Sequence, residues 1–504
     1  MPRSLTALSF SVGLLFGGML LHAGKPNIVL ILADDVGADM FSCYGQKGAA
    51  KTPNVDRIAK EGVRFRTCFA PAICAPSRAL LMTGVYANRT GVFRNDMWAF
   101  DSRGKLFTDR PSWSKLLQKG GYVTAVAGKW HCGAREPWDE HVGFDEYCLW
   151  EGPDKIKSHF GKNPVATGAR KDLNLSDTRY WYPSTVQNGK YLKVDEEGFG
   201  PDQRCDFLMG FMKRMTKQKK PFVAYWPTVI PHGPYSTTPD HGKPMDIELK
   251  KPDPKGLSKE ARARVMKEYN EKQAQRFVYL IEYMDKLIGK LMAKAEDLEI
   301  YENTYFIFCA DNGTANTAKD RGVERGVHVP YVVRGPGIKR LGATNQLTDF
   351  ADIAPTLLEM AGIPIPRDVS FDGQSQLPFL TGKTKTHREW IYAYTGSVQV
   401  LRTKHHLLEA RSPLLGKPKG RFYFTGERRF GRGYERAEND PAHAPALSLM
   451  RRVVDEMPSH LEEDHPFWES KYGKRWLQNN PDRRELAKKQ LYNHPDYSRY
   501  DESD

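Results

Sequence analysis

The chain has 504 residues, with 75 lysines and arginines against 61 aspartates and glutamates, for a formal charge of +14. That length can bury a large core, as roughly three domains or as one big α/β domain with a small companion. The basic balance favours anionic partners, but no nucleic-acid motif accompanies it, part of the excess lies beyond Arg402, and a solvated basic surface is the ordinary reading. Met1-Pro2-Arg3 precedes an apolar run from Leu5 to Leu21, and Leu21-His22-Ala23 offers a small residue for cleavage. Residues 1–23 therefore read as a secretory signal peptide, with an uncleaved anchor as the weaker alternative. No later segment is long and apolar enough to span a bilayer. The mature chain is expected to be exported, periplasmic or extracellular, without a stable membrane span.

Asn27-Ile28-Val29-Leu30-Ile31-Leu32 is a nearly continuous apolar run, as expected of a strand buried on both faces of a sheet. It ends in Ala33-Asp34-Asp35-Val36-Gly37. Adjacent carboxylates at a strand's end repel unless a cation holds them; a helix cap would use one of them, not two. Thr52 to Gly62 reads as a turn and a helix that stops at the glycine. Ala72-Ile73-Cys74-Ala75-Pro76-Ser77-Arg78 follows, a cysteine just before a short helix. Pro76 suits the first turn. Ser77 and the free amides of that turn are expected to face Cys74 and favour an anion at the sulfur. Arg78 adds a planar cation whose fork fits a tetrahedral oxyanion. A small core cysteine before an ordinary helix is the plainer alternative.

Ser112 to Lys119 reads as a helix capped by Ser112, and Tyr122 to Ala127 as a strand leading into Gly128-Lys129-Trp130-His131. Lys129 and His131, two apart, are expected to point the same way, or else to form an exposed loop pair. From about Trp150 to Pro201 the text is irregular, as in a substrate-shaping insertion. The strand Phe222 to Trp226 precedes Pro231-His232-Gly233-Pro234, where a loop histidine is more often inert than functional. Arg276 to Lys294 repeats apolar residues at helical spacing and is scaffold. Thr304 to Cys309 is a second buried strand, ending in Ala310-Asp311-Asn312-Gly313. Oxygen donors again sit at the C-terminal edge of a parallel sheet, the usual place for sites in such folds. Lys319 and Glu324 follow, then a strand at Tyr331 to Val333. After about Gly382 come strand-like pieces, Trp390 to Tyr394 and Val398 to Arg402, and a tail dense in charge and aromatics.

Cys-x-Pro-Ser-Arg at 74–78 followed by Thr83-Gly84 resembles the signature of the type I, formylglycine-dependent sulfatases of the alkaline-phosphatase-like superfamily. The resemblance implies an α/β fold with a large, mixed, mostly parallel sheet flanked by helices, and a small C-terminal domain with a short antiparallel sheet. It places a catalytic domain at 24–382 and a smaller subdomain with a charged tail at 383–504. It implies that Cys74 is oxidised by a maturation enzyme to formylglycine, whose hydrate is the nucleophile. Asp34, Asp35, Asp311 and Asn312, with residue 74, match the family's ligands for one divalent ion. An all-oxygen set suits Ca²⁺, or Mg²⁺, better than zinc. Lys129 and His131 match a Gly-Lys-Trp-His motif facing the nucleophile, and His232 matches a Pro-His-x-Pro motif that contacts the sulfate ester. Lys319 matches the sulfate-binding lysine of a Gly-Lys-x-x-x-x-Glu-Gly-Gly-x-Arg-Val-Pro block, from which this chain departs at Ala318, Arg325 and His328. The stretch from Asp349 through Leu358 resembles the family's next helix, with Asp349 and Asp352 expected to be structural rather than catalytic.

The implied activity is hydrolysis of sulfate monoesters, of a sulfated saccharide or an aryl sulfate. The metal, Arg78, Lys129 and Lys319 would hold the oxyanions, and His232 would protonate the leaving alcohol. With Cys74 consumed, six of the seven cysteines remain, enough for disulfides or for scattered buried thiols. A phosphonate monoester hydrolase or phosphodiesterase of the same superfamily, and a non-catalytic binder of sulfated glycans, are the competing readings.

Overall fold

The apolar run at 27–33 becomes the strand β1 (Asn27–Ala33), every residue of it buried near the middle of a ten-stranded sheet. In chain order the other strands of that sheet are β2 (Val63–Phe69), β3 (Val123–Gly128), β4 (Glu146–Trp150), β5 (Thr185–Gln187), β6 (Lys190–Tyr191), β7 (Phe222–Pro227), β8 (Thr304–Ala310), β9 (His328–Arg334) and β10 (Gly342–Asp349). The computed structural model describes residues 24–95, 106–108, 110–132, 136–150, 177–193, 198–242, 251–253, 255–315, 317–339, 342–413, 417–431, 433–457 and 478. The expected signal peptide at 1–23, much of the 150–201 insertion and nearly all of the tail after Met457 lie outside them.

The strand order is β10-β2-β9-β8-β1-β7-β3-β4-β5-β6. The run from β8 to β4 is parallel throughout, whereas β9 is antiparallel to both its neighbours and β4-β5-β6 turns back on itself. β10 joins β2 in parallel. The sheet is therefore mixed with a parallel heart, as expected.

Two helices bear on the site. α1 (Pro53–Glu61) starts with its proline in the first turn, and its free amides are met from outside by the Asp285 carboxylate, 2.8 Å from the Val55 nitrogen. α2 (Cys74–Thr83) has all ten residues buried and ends at Gly84 in the left-handed conformation, φ 65°. The helix expected over 276–294 extends over Lys259–Asp297. Its added N-terminal half has no apolar stripe, so periodicity missed it, but the Ser258 side chain accepts from the Ala261 amide at 3.2 Å and marks the true start. No helix among the described residues is long and apolar enough to cross a membrane.

The C-terminal part adds a five-stranded antiparallel sheet, β11 (Trp390–Thr395), β12 (Val398–Thr403), β13 (His406–Arg411), β14 (Arg421–Phe424) and β15 (Glu435–Arg436), with a helix at Ala444–Asp455. All seven cysteines are free thiols, six of them buried and Cys43 half-buried, which favours scattered thiols over disulfides. Where β10 hands over to β11, Arg388 lies 2.8 Å from Asp349 and 3.0 Å from Asp352, both fully buried. His387 adds a contact to Asp352 at 2.9 Å, and the Tyr86 hydroxyl donates to Asp349 at 2.8 Å. Asp349 and Asp352 are thus structural, tying the segment after α2 to both sheets.

Removing Arg388 would leave two buried carboxylates with too little positive charge. Arg388→Gln is expected to lower stability by about 3–5 kcal/mol, read as an earlier urea unfolding midpoint; an unchanged midpoint would contradict the role given to this cluster.

Candidate active site

The parallel strands end level with one another. The Asp311 amide donates to the Ala33 carbonyl at 3.0 Å, that of Thr228 to Leu32 at 2.9 Å, and that of Lys129 to Pro227 at 2.7 Å. The residues that follow β8, β1, β7 and β3 therefore share one sheet edge. β2 runs the same way as β8, since β9 is antiparallel to both, so its exit leads to Cys74 at that edge. The approach at β3 demands glycine: Gly128 has φ 136°, and a Cβ there would stand 1.9 Å from the Pro227 carbonyl oxygen.

These exits converge on residue 74. The Cys74 Sγ lies 3.4 Å from Asp34 Oδ1 and 3.4 Å from Asp35 Oδ1. The outer oxygens are held by cations, Asp34 Oδ2 by Lys129 Nζ at 2.8 Å and Asp35 Oδ2 by Lys319 Nζ at 2.7 Å. His232 Nε2 stands 3.3 Å from the same Asp35 oxygen and 3.4 Å from Lys319 Nζ. Lys319 thus reaches the cluster despite the altered residues around it.

Arg78 is a different case from the one expected. Its Nε and Nη2 donate to Asp311 Oδ2 at 3.1 and 2.8 Å, and its Nη1 donates to the Lys129 carbonyl at 2.6 Å. The guanidinium is fully buried and committed to the protein, so it positions Asp311 and the Lys129 backbone instead of offering its fork to an oxyanion. Ser77 also departs from expectation. Its hydroxyl donates backward to the Pro71 and Ile73 carbonyls at 2.8 and 3.0 Å, so it does not face the sulfur. The Lys129–His131 spacing does not act as strand alternation, because β3 ends at Gly128 and His131 has φ 51°.

Two contributors had no sequence signal. Asn95 Oδ1 accepts from the Ala75 amide at 3.0 Å, satisfying a donor in the first turn of α2. Arg179, from the motif-free insertion, places Nη1 2.9 Å from His232 Nδ1 and rests over the Trp150 ring at 4.8 Å.

Burial resists every charge here, and the partners decide the outcome. Against burial, Lys129, His232, Arg78 and Lys319 hold Asp34 well below the usual carboxylate range, and His232 and Lys319 lower Asp35 against burial and the Asp34 charge. Asp311 goes the other way, pushed up to about 7 by burial and the Asp34 charge against the pull of Arg78. Burial, with Lys129 and Arg179 adding to it against the two aspartates, takes His232 down to about 4. The Cys74 thiol is pushed up by burial, then by Asp311 and Asp35. It is therefore neutral, contrary to the anion expected from the helix terminus alone: the carboxylates are nearer neighbours than the dipole.

The residues present fit a hard divalent cation. The inner oxygens of Asp34 and Asp35 converge, and Asn312 Oδ1, fully buried, has no hydrogen-bond partner. The Asn312 nitrogen donates to Asp35 Oδ1 at 3.0 Å, so the orphaned oxygen of the same amide is within one rotation of the carboxylates and suits a hard cation. Asp311 spends Oδ2 on Arg78 and Oδ1 on the Asp35 amide at 3.0 Å, leaving only second lone pairs for an ion.

Comparison with known proteins agrees with this arrangement. The family described as Sulfatase matches residues 26–363, and that described as N-sulphoglucosamine sulphohydrolase, C-terminal, matches 319–408. The chain is 30% identical to human (Homo sapiens) arylsulfatase A over 425 residues, 78% of this chain and 74% of that one. It is 29% identical to N-acetylgalactosamine-6-sulfatase of Canis lupus familiaris over 403 residues, 74% of this chain and 69% of the relative. Among solved structures, Ps i-CgsB in complex with k-i-k-neocarrahexaose superposes with a TM-score of 0.67 at 21% identity, covering 93% of this chain and 100% of that one.

If the cluster holds a cation, Ca²⁺ at a hundred times its Kd is expected to stabilise the fold by about 2.7 kcal/mol, visible as a rise in Tm. Asp35→Asn and Asn312→Ala should each abolish or blunt that rise. The same rise in both variants would place the ion elsewhere.

Proposed function

The chain belongs to the sulfatase family and is a sulfuric ester hydrolase, and from that premise we propose that it removes sulfate from a sulfated saccharide through residue 74, matured from cysteine to formylglycine. The observation that carries this reading is the position of the Cys74 Sγ, 3.4 Å from the inner oxygens of two carboxylates whose outer oxygens are held by Lys129 and Lys319. A hydrated aldehyde at 74 would supply an oxygen nucleophile, and Asp34, Asp35, Asp311, Asn312 and residue 74 would hold a Ca²⁺ or Mg²⁺ whose charge would offset that of the sulfate oxygens.

The chain's own groups do the rest. Three carboxylates (Asp34, Asp35, Asp311) face three cations (Arg78, Lys129, Lys319), so the site without a metal is close to balanced and a divalent ion tips it towards an anionic substrate. Lys129 and Lys319 can each transfer from a carboxylate oxygen to a sulfate oxygen, and cations so placed are worth about several kcal/mol where charge shifts. Arg78 keeps Asp311 and the Lys129 backbone in place while they do so. The leaving alcohol needs a proton. Lys319 Nζ lies 3.4 Å from His232 Nε2, and against burial the neighbouring Asp35 and Asp34 carboxylates hold the lysine charged, above its ordinary range. We assign the acid to His232, with Lys319 keeping its proton and positioning the ring beside the ester. His131 would hydrogen-bond the nucleophile. A leader at 1–23, export and a separate maturation enzyme belong to the same proposal.

Mass spectrometry of the peptide spanning residue 74 should find an aldehyde in place of the thiol. Cys74→Ala should lower sulfate release by about 10³-fold or more, and a fully active Cys74→Ala protein would end the reading. Faster turnover of an aryl phosphonate ester than of an aryl sulfate would favour the phosphonate hydrolase alternative.

His232→Ala should slow esters of sugar alcohols by at least about tenfold more than esters of activated phenols, which leave without help, whereas Lys319→Ala should slow both. Equal losses on both substrates in His232→Ala would remove His232 from the acid role.

A further inference from the structure

Away from the catalytic cluster, a cleft of about 540 Å³ opens where the β2–β10 edge of the large sheet meets the turn after β14. It shares no residue with the site above. Four arginines line it, Arg64, Arg66, Arg428 and Arg429, against a single carboxylate, Glu427.

These cations are poorly compensated. Arg64 and Arg66 stand two residues apart on one face of β2, about 7 Å from each other along the strand, and neither has an ion-pair partner among the described residues. The Arg64 guanidinium lies 5.1 Å from the centre of the Tyr44 ring, and Arg66 Nη1 donates to the Asn345 amide oxygen at 3.2 Å. Glu427 is occupied, accepting from Asn345 Nδ2 at 2.7 Å with His405 3.6 Å away. Arg428 is paired with Glu435 at 3.2 Å. Arg429 is 6% exposed, gives its Nη1 to backbone carbonyls, and leaves Nε buried without a partner. Guanidinium groups crowded into one concavity repel unless an anion enters it.

The size of the cleft decides between a single oxyanion and something larger. A lone sulfate would fill a small part of 540 Å³, whereas that volume lies in the range for bound small molecules. The walls mix charge with ring surface, Tyr44 and Phe430, and with the amides of Gln46 and Asn345. We propose that this cleft is a second, non-catalytic site that holds the sulfate groups of a polysulfated saccharide at a distance from the ester being cleaved. The choice of occupant rests on the sulfatase reading; the charge imbalance does not.

The test titrates a heparin tetrasaccharide into the full-length Cys74→Ala protein, with and without R64Q/R66Q. The double substitution should weaken binding by about tenfold and shrink the dependence of log K on log salt by about one to two. It should leave Tm and the turnover of an aryl sulfate in the Cys74 background as they were. In the unsubstituted chain the tetrasaccharide should slow hydrogen exchange across residues 426–431, a readout that needs no variant. Identical affinity and identical protection with and without R64Q/R66Q would overturn the proposal, even with sulfate release intact. Equal protection by inorganic sulfate at the same concentration would overturn it as well, as a simple oxyanion site. Loss of binding in R64Q/R66Q from a chain that releases no sulfate from any ester would uphold the cleft while removing the catalytic reading.

Discussion

Three carboxylates cannot share a dry pocket unless positive charge meets them there. Asp34, Asp35 and Asp311 are all essentially buried, and taking each out of water costs several kcal/mol before any partner is counted. The arrangement of Arg78, Lys129 and Lys319 answers that cost oxygen by oxygen. It also leaves the two inner oxygens turned towards Cys74, with the Asn312 amide nitrogen 3.0 Å from that of Asp35. Much of what the site can do follows from this division between outer oxygens held by protein and inner oxygens left for something else.

The division exists because the sheet delivers its strand ends together. A parallel sheet brings chain exits to one edge only when the registers agree, and here Ala33 pairs with Ala310 while Leu32 pairs with Pro227. A slip of one residue in β1 would turn Asp34 away from the edge, since side chains alternate along a strand. The continuous burial of β1 and β8 is therefore part of the chemistry, because it prevents that slip.

Much of this was legible in the residues themselves. Apolar runs ending in Asp34-Asp35 and Asp311-Asn312 announced two central strands and their donors, and the motif around Cys74 announced the helix α2. What stayed hidden depends on contacts between distant segments. Nothing in the text from Trp150 to Pro201 pairs Arg179 with His232, and Asn95 gives no local sign that it satisfies the first turn of α2. The orientation of Ser77 was misjudged because a hydroxyl in a first turn can bond backward to carbonyls as readily as outward. The protonation of Cys74 departs from the motif's suggestion because full burial, then the Asp311 and Asp35 charges, outweigh a helix terminus that acts over a turn.

The three cations are of two kinds, and the difference explains why arginine stands at 78 and lysine at 129 and 319. A guanidinium cannot give up its proton and presents a rigid fork; at Arg78 that fork is filled by Asp311 and a carbonyl, so the group cannot move without breaking three bonds. Each lysine makes one short contact to a carboxylate oxygen and keeps donors in hand. A long flexible stem lets such a group change partners when a sulfate arrives, at the expense of one bond rather than three. Holding one cation fixed opposes the rise that burial and Asp34 give Asp311, and leaving two movable keeps the pocket responsive to a substrate. Exchanging the types would reverse both effects: a lysine at 78 would lack the fork that spans Asp311 and the Lys129 carbonyl, and an arginine at 319 would crowd His232 with a rigid planar group.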